Sequence, residues 1–63
     1  MLGTQSKPLV RVTHTPTGLT VFCDASRSAN QNRGKAIKLL KARLWALKNQ
    51  TVPDAEIAVY ELP

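Results

Sequence analysis

The stretch SANQNRGKAIKLLKARLWALKN, residues 28–49, decides the fold because it has the period of one long amphipathic helix. Ser28 is predicted to be the N-cap, and Gln31 three residues later would complete a capping box. One face of this helix collects mainly apolar side chains, so it can be buried against a sheet. The residues of that face are Ala29, Arg33, Ala36, Ile37, Leu40, Leu44 and Leu47.

The opposite face of the same helix is predicted to be basic. The helix contains no Asp or Glu, so its six Lys and Arg side chains have no acidic partner at i,i+4 spacing. A helix kept for stability alone usually mixes the two signs of charge. We therefore expect a basic rod that packs on a small sheet and leaves its outer face free. That outer face carries Lys38, Lys41, Trp45 and Lys48, with Lys35 at its margin.

The charge of the whole chain is clustered in the same way. Its 63 residues carry nine Lys and Arg against four Asp and Glu, a formal net charge of +5. Seven of the nine basic residues lie between Arg27 and Lys48, and three of the four acidic residues follow residue 53. Clustering favours a surface that binds phosphates over a basic face that only keeps the protein soluble. The candidate RNA- or partner-binding residues are Arg27, Arg33, Lys35, Lys38, Lys41, Trp45 and Lys48.

Composition excludes several other classes of protein. Cys23 is the only cysteine, so no internal disulfide can form and a reducing compartment is expected. One Cys and one His cannot supply a structural zinc site, and we expect no metal and no other cofactor. No apolar run reaches membrane-spanning length, and the first residues lack the apolar block of a secretory signal.

The residues before the helix predict a β-hairpin. Residues 1–8 are expected to be a flexible N-terminal lead-in, followed by one α+β domain over residues 9–63. LVRVTH (residues 9–14) and LTVFC (residues 19–23) alternate as strands, and TPTG (residues 15–18) between them is typical of a turn. Pairing Val12 with Val21 and Val10 with Cys23 gathers the apolar side chains on one face, so we prefer that register. Phe22 then points outward beside Arg11.

The residues after the helix complete a ββαβ order. Thr51 to Asp54 is predicted to turn the chain, and EIAVYEL (residues 56–62) is predicted to be a third strand. A parallel return from strand two to strand three through the helix should be right-handed. Ile57 and Val59 would join the hairpin and the helix stripe in a small core. The fold class is therefore α+β, with one helix across a small sheet.

Residues 10–44 also resemble a known family. VRVTHTPTGLTVFC followed by RSANQNRGKAIKLLKARL is similar to the catalytic-domain segment of class I peptide-chain release factors. The matching pieces occur in the family's order without a gap, and the resemblance as a whole extends over about 35 of the 63 residues. They are Val10-Arg11-Val12-Thr13-His14, Pro16-Thr17-Gly18, Cys23, Arg27-Ser28, Asn32, Lys35-Ala36, Leu40 and Ala42-Arg43.

The resemblance implies a ribosome-bound domain that hydrolyses peptidyl-tRNA through a Gly-Gly-Gln loop just upstream of the hairpin. Counted back without gaps from Val10, that Gln would fall at Met1, so we expect this chain to be non-catalytic. Gly3-Thr4-Gln5 is a possible degraded loop, but its spacing is short and Thr4 replaces a glycine where backbone freedom is needed. No other recognisable catalytic set of residues is present.

Several single residues have ordinary structural explanations. His14 is expected to pack at a strand end beside Leu19, and Cys23 to be a small core residue. Arg27 could contact a phosphate or the hairpin backbone. Asn32, with its neighbours Asn30 and Gln31, could hydrogen-bond RNA or belong to a solvated first turn.

Three classes of function remain open from the sequence. The first is a non-catalytic release-factor-like protein that binds the ribosome, its RNA or tRNA through the basic helix. The second is an adaptor or assembly subunit of a protein complex that uses Trp45 and the outer face. The third is a ribosome-rescue peptidyl-tRNA hydrolase. None of them requires a small-molecule substrate, and the expected location is the bacterial cytoplasm or an organelle stroma or matrix.

Overall fold

The computed structural model describes residues 7–62 and has the predicted α+β fold. Strand β1 spans Leu9–His14, β2 spans Thr20–Cys23, helix α1 spans Ala29–Lys48 and β3 spans Ile57–Leu62. A short 3-10 helix, Asp54–Glu56, precedes β3. The predicted boundaries are therefore one residue early for β2 at Leu19 and for β3 at Glu56. The proposed lead-in over residues 1–8 lies mostly outside the described residues.

The three strands form one sheet in the order β2-β1-β3. β1 pairs antiparallel with both neighbours, so β2 and β3 run parallel to each other on either side of it. The hairpin has the predicted register, with Val12 opposite Val21 and Val10 opposite Cys23. Gly18 closes the turn with a φ of +78°, a left-handed conformation that glycine adopts without steric cost.

The ends of α1 are set by specific hydrogen bonds. Ser28 is the N-cap, because its side chain accepts a hydrogen bond from the backbone N–H of Gln31. The second half of the predicted capping box is wrong: the Gln31 side chain accepts from the Ser26 hydroxyl at 2.8 Å. The backbone N–H of Ser28 donates instead to that same hydroxyl oxygen. At the other end Asn49, with φ 52°, is the left-handed C-cap, and its N–H donates to the carbonyl of Trp45.

The core lies between the sheet and one face of α1. It comprises Val10, Val12, Val21, Cys23, Ala36, Leu40, Leu44 and Val52, with Leu19, Ile37 and Ile57 packed at its edge. The helix packs chiefly on β1 and β2 and only marginally on β3. Val59 points to the helix side of β3 but is 37% exposed, so its predicted place in the core is wrong. Val52, in the segment after α1, closes the core instead.

Leu47 is the clearest departure from the predicted buried stripe. It is 71% exposed, although it shares a helix face with the fully buried Leu40. The cause is length: 20 residues of α-helix extend about 30 Å, whereas six residues of strand extend about 20 Å. The last turn of α1 therefore passes the sheet, and Leu47 lies beside the hairpin turn at Thr17 and Gly18.

Candidate functional site

The outer face of α1 presents the basic residues that the helical period places there. Lys35 and Lys38 are exposed, and so is Lys48 in the last turn. Trp45 lies among the lysines and is 56% exposed. Lys38, Lys41, Trp45 and Lys48 follow one another at spacings of three, four and three residues, so they form one row along the helix. We call these four residues together with Lys35 the basic face.

Most of the basic face carries no compensating acid. Lys41 is the exception, because its Nζ lies 2.9 Å from a carboxylate oxygen of Asp54. Within residues 7–62, no ion pair involves Lys35, Lys38 or Lys48. An exposed ion pair such as Lys41–Asp54 contributes at most about 1 kcal/mol to stability, so a polyanion can displace it. The positive charge of the basic face is therefore largely unneutralised in the described part of the folded domain.

Arg33 lies apart from the basic face. Its guanidinium donates to the Glu61 carboxylate at 3.3 Å and to the Asn30 side-chain oxygen at 2.7 Å. These contacts link α1 to β3, so Arg33 is oriented by the domain itself. Arg27 is exposed in the connection between β2 and α1. Arg43, which the prediction left out of the candidate set, is also exposed on α1.

Asn32 has a structural role in the fold. Its side chain is fully buried, which overturns the alternatives of an RNA contact or a solvated first turn. The amide nitrogen donates to the carbonyls of Pro8 and Ser26, both at 2.7 Å, and the amide oxygen accepts from the N–H of Ser26 at 2.8 Å. One buried amide therefore ties the start of β1 and the β2–α1 connection to the helix. No local sequence signal indicated this role, because the partner at Pro8 lies 24 residues away in the chain.

His14 likewise has a structural environment. It is fully buried at the end of β1, with Nδ1 2.8 Å from the Thr17 hydroxyl and Nε2 2.9 Å from a Glu56 carboxylate oxygen. The expected packing at a strand end is therefore correct, but its two polar partners were not foreseen. Cys23 is a buried free cysteine, as expected of a core residue.

The rest of the described chain offers little other site chemistry. Across residues 7–62, no group of three or more His, Cys, Asp or Glu side chains is arranged to hold a metal ion. No helix in that part is both long and apolar enough to cross a membrane. An apolar groove of about 430 Å³ lies beside the basic face, with Cys23, Leu39 and Ala42 among its lining and Lys35 and Lys38 at its edge.

The chain is similar to one family model and to several peptide chain release factors. Residues 4–60 match the family model described as the RF-1 domain. Peptide chain release factor 1 of Lachnoclostridium phytofermentans is 47% identical over 49 residues, which cover 78% of this chain and 14% of that protein. Peptide chain release factor 2 of Caulobacter vibrioides is 48% identical over 50 residues, covering 79% of this chain and 14% of that protein. This chain therefore spans about one seventh of these relatives. No solved structure matches it.

Proposed function

This chain belongs to the RF-1 domain family, and we propose that its domain binds the ribosome, at ribosomal RNA or at tRNA, through the outer face of α1. The observation that carries the proposal is the basic face, where Lys35, Lys38 and Lys48 are exposed and no carboxylate of the described part pairs with them. Relatives named peptide chain release factors supply the ribosomal context. The site of action would then be a bacterial cytoplasm or an organelle stroma or matrix.

The like charges along α1 favour the binding of a polyanion. Burying the apolar side of α1 stabilises the fold, but six cations on one helix repel each other and gain nothing from intrahelical pairing. A polyanion removes that repulsion and releases counterions, which is a favourable term for binding. The row from Lys38 to Lys48 extends about 15 Å along the helix, long enough to follow several backbone phosphates. Trp45 within the row can stack on a base.

We further propose that a polypeptide of these 63 residues binds without hydrolysing peptidyl-tRNA. The support is that its sequence contains no Gly-Gly-Gln tripeptide. Gly3-Thr4-Gln5, the nearest approach to that motif, lies outside the described residues. A peptide-release assay on ribosomes carrying peptidyl-tRNA decides the matter. We expect release no faster than the background rate, and release that Gln5→Ala abolishes would contradict the proposal.

Co-sedimentation with ribosomes tests the binding proposal. Reversing Lys35, Lys38 and Lys48 to Glu should abolish binding and leave the fold intact, since all three side chains are exposed. Lys38→Glu and Lys7→Glu are a matched pair, because both reverse one exposed charge but only Lys38 lies on α1. We expect Lys38→Glu to weaken binding several-fold more than Lys7→Glu.

Salt dependence gives the second readout. Three phosphate contacts predict a slope of roughly −2 to −3 for the logarithm of affinity against the logarithm of salt concentration. The triple variant should show a flatter slope than the wild-type chain. A flat response in the wild-type chain, with binding lost in Trp45→Ala, would contradict RNA binding and indicate an apolar protein contact centred on Trp45.

A further inference from the structure

The sheet has a second surface, on the side away from α1, that takes no part in the core. Side chains alternate along a strand, so the neighbours of the buried Val10, Val12, Val21 and Cys23 point to this other side. We call it the open face. The strand registers place on it Leu9, Arg11 and Thr13 of β1, Thr20 and Phe22 of β2, and Ala58, Tyr60 and Leu62 of β3.

One row of side chains crosses the open face through all three strands. Arg11 on the central strand is directly opposite Phe22 of β2 on one side and Tyr60 of β3 on the other. Phe22 is 56% exposed and Tyr60 is 48% exposed. Two aromatic rings flanking a central strand stand about 10 Å apart, twice the spacing between neighbouring strands.

Arg11 gives this row its chemical character. Its guanidinium carbon lies 4.5 Å from the centroid of the Tyr60 ring, so the cation is held over the aromatic face. Its Nε is buried and has no hydrogen-bond partner among the described residues. The open face contains no Asp or Glu of the three strands, and none of the ion pairs of the described part involves Arg11. Among residues 7–62, a cation between two exposed rings is thus left without an anionic partner.

We propose that the open face binds unpaired nucleotides of an RNA, with one base stacked on Phe22 and another on Tyr60. Arg11 between them would donate to a phosphate or to a base edge. Stacking on aromatic side chains and on guanidinium planes is how proteins bind single-stranded nucleic acid on the surface of a sheet. The open face lies on the opposite side of the domain from the basic face, so RNA binding there can be tested independently of binding through α1.

The same row argues against a second copy of this chain as the occupant. In a two-fold dimer each subunit presents the same patch, so Arg11 near the centre would meet the partner's Arg11. With no carboxylate from the three strands on either face, the two cations would repel each other. RNA instead supplies both flat rings for the aromatic side chains and negative charge for Arg11, and the chain's net charge of +5 attracts it.

The test compares two labelled probes of equal charge by fluorescence anisotropy. One is an eight-nucleotide oligoadenylate, and the other is a ribose-phosphate oligomer of the same length without bases. The ratio of the two affinities cancels the phosphate contacts, including those made by lysines of α1. We expect the base-bearing probe to bind about a hundredfold tighter, since two bases are stacked and each stacking contact on an aromatic side chain strengthens binding by roughly tenfold.

Variants then locate the bases. Phe22→Ala and Tyr60→Ala should each reduce the affinity ratio by about tenfold, whereas Phe22→Tyr and Tyr60→Phe should preserve it. Leu47→Ala is the matched control, because Leu47 is also a large apolar residue and is more exposed than Phe22 or Tyr60, but it lies on α1. Leu47→Ala should leave the ratio unchanged. Circular dichroism and thermal melting should show that each variant remains folded.

Three results would overturn the proposal. The first is equal affinity for the two probes. The second is a ratio that falls with Trp45→Ala and not with Phe22→Ala, which would assign base stacking to α1 and leave the proposed function intact. The third is a concentration-dependent dimer in sedimentation velocity that Phe22→Ala dissociates, which would assign the open face to a second copy. Loss of ribosome binding in the lysine variants, with the affinity ratio retained, would support both surfaces.

Discussion

Nε2 of His14 lies 2.9 Å from a carboxylate oxygen of Glu56, and this contact joins two residues 42 positions apart in the chain. It fixes the 3-10 helix before β3 to the end of β1. Two further bonds strengthen the junction, because the carbonyl of Glu56 accepts from the N–H and the hydroxyl of Thr15. The register of β3 on β1 thus begins at a polar junction rather than at an apolar contact.

Glu56→Ala should lower the free energy of unfolding by about 1 kcal/mol, because it leaves a ring nitrogen of the buried His14 without its partner. The Glu56 side chain is 39% exposed, so water can replace it as the partner of the ring. The loss should therefore lie near the low end of the roughly 1–3 kcal/mol that an unsatisfied buried polar group costs. Glu56→Gln should cost less, since its amide can still hydrogen-bond the ring. Urea denaturation measures both variants. Glu61→Ala, which removes an exposed ion pair with Arg33, is the control and should change stability less than Glu56→Ala.

Asn32→Ala should destabilise the domain by roughly 3 kcal/mol. It removes the hydrogen-bond partner of the carbonyls of Pro8 and Ser26 and of the N–H of Ser26. On a small domain of marginal stability that loss is enough to populate the unfolded state. The matched control is Asn30→Ala, an exposed residue of the same type two positions earlier in α1. Thermal melting followed by circular dichroism should separate the two. Equal melting of both variants would contradict the role assigned to Asn32.

Leu40→Ala should destabilise the fold by about 2–5 kcal/mol, because it opens a cavity where a fully buried side chain contacts the sheet. Leu47→Ala removes the same group from the same helix but should cost less than about 0.5 kcal/mol, since Leu47 is exposed. The pair can be compared in one urea titration. A large effect of Leu47→Ala would show that the last turn of α1 is covered in solution.

Trp45 is the only tryptophan, so its fluorescence reports directly on the basic face. In the free protein it should emit like a solvated indole and be quenched by iodide, because more than half of its surface is exposed. On ribosome binding its emission should shift to shorter wavelength and the quenching should fall. Lys38→Glu should move that change to several-fold higher ribosome concentration without altering the emission of the free protein. A blue-shifted, protected Trp45 in the free chain would contradict its place on an open surface.

The hairpin and the helix were predictable because each depends on local periodicity. Val10, Val12 and Val21 can share one buried face in only one register, so burial alone selects the observed pairing. Ser28 was identifiable as a cap because a short hydroxyl side chain precedes the helical pattern. The orientation of β3 followed from the long connection through α1, which returns the chain parallel to β2.

The predictions were wrong where burial depends on the relative lengths of helix and sheet, or on contacts between residues distant in the chain. Leu47 has the period of a core residue, but burial also needs a sheet beneath it, and the sheet ends earlier. Val59 alternates correctly, yet α1 lies over β1 and β2 rather than β3. Asn32 is polar and would ordinarily be solvated; its partners at Pro8 and Ser26 become apparent only when the strands are placed. The sequence predicted the basic face from its charge pattern. It did not predict the ion pair of Lys41 with Asp54, because that pair depends on the path of the chain after α1.

The central position of β1 has a consequence for the order in which the chain folds. The hairpin closes a short turn and α1 follows it directly, so both can form from contacts that are local in the chain. β3 reaches β1 only after the intervening helix has been placed, and closing that longer loop carries a larger entropic cost. β3 also buries little side-chain surface, with its last four residues exposed. We therefore expect the final strand to join a unit already assembled, and to be the first element that separates when the native state opens.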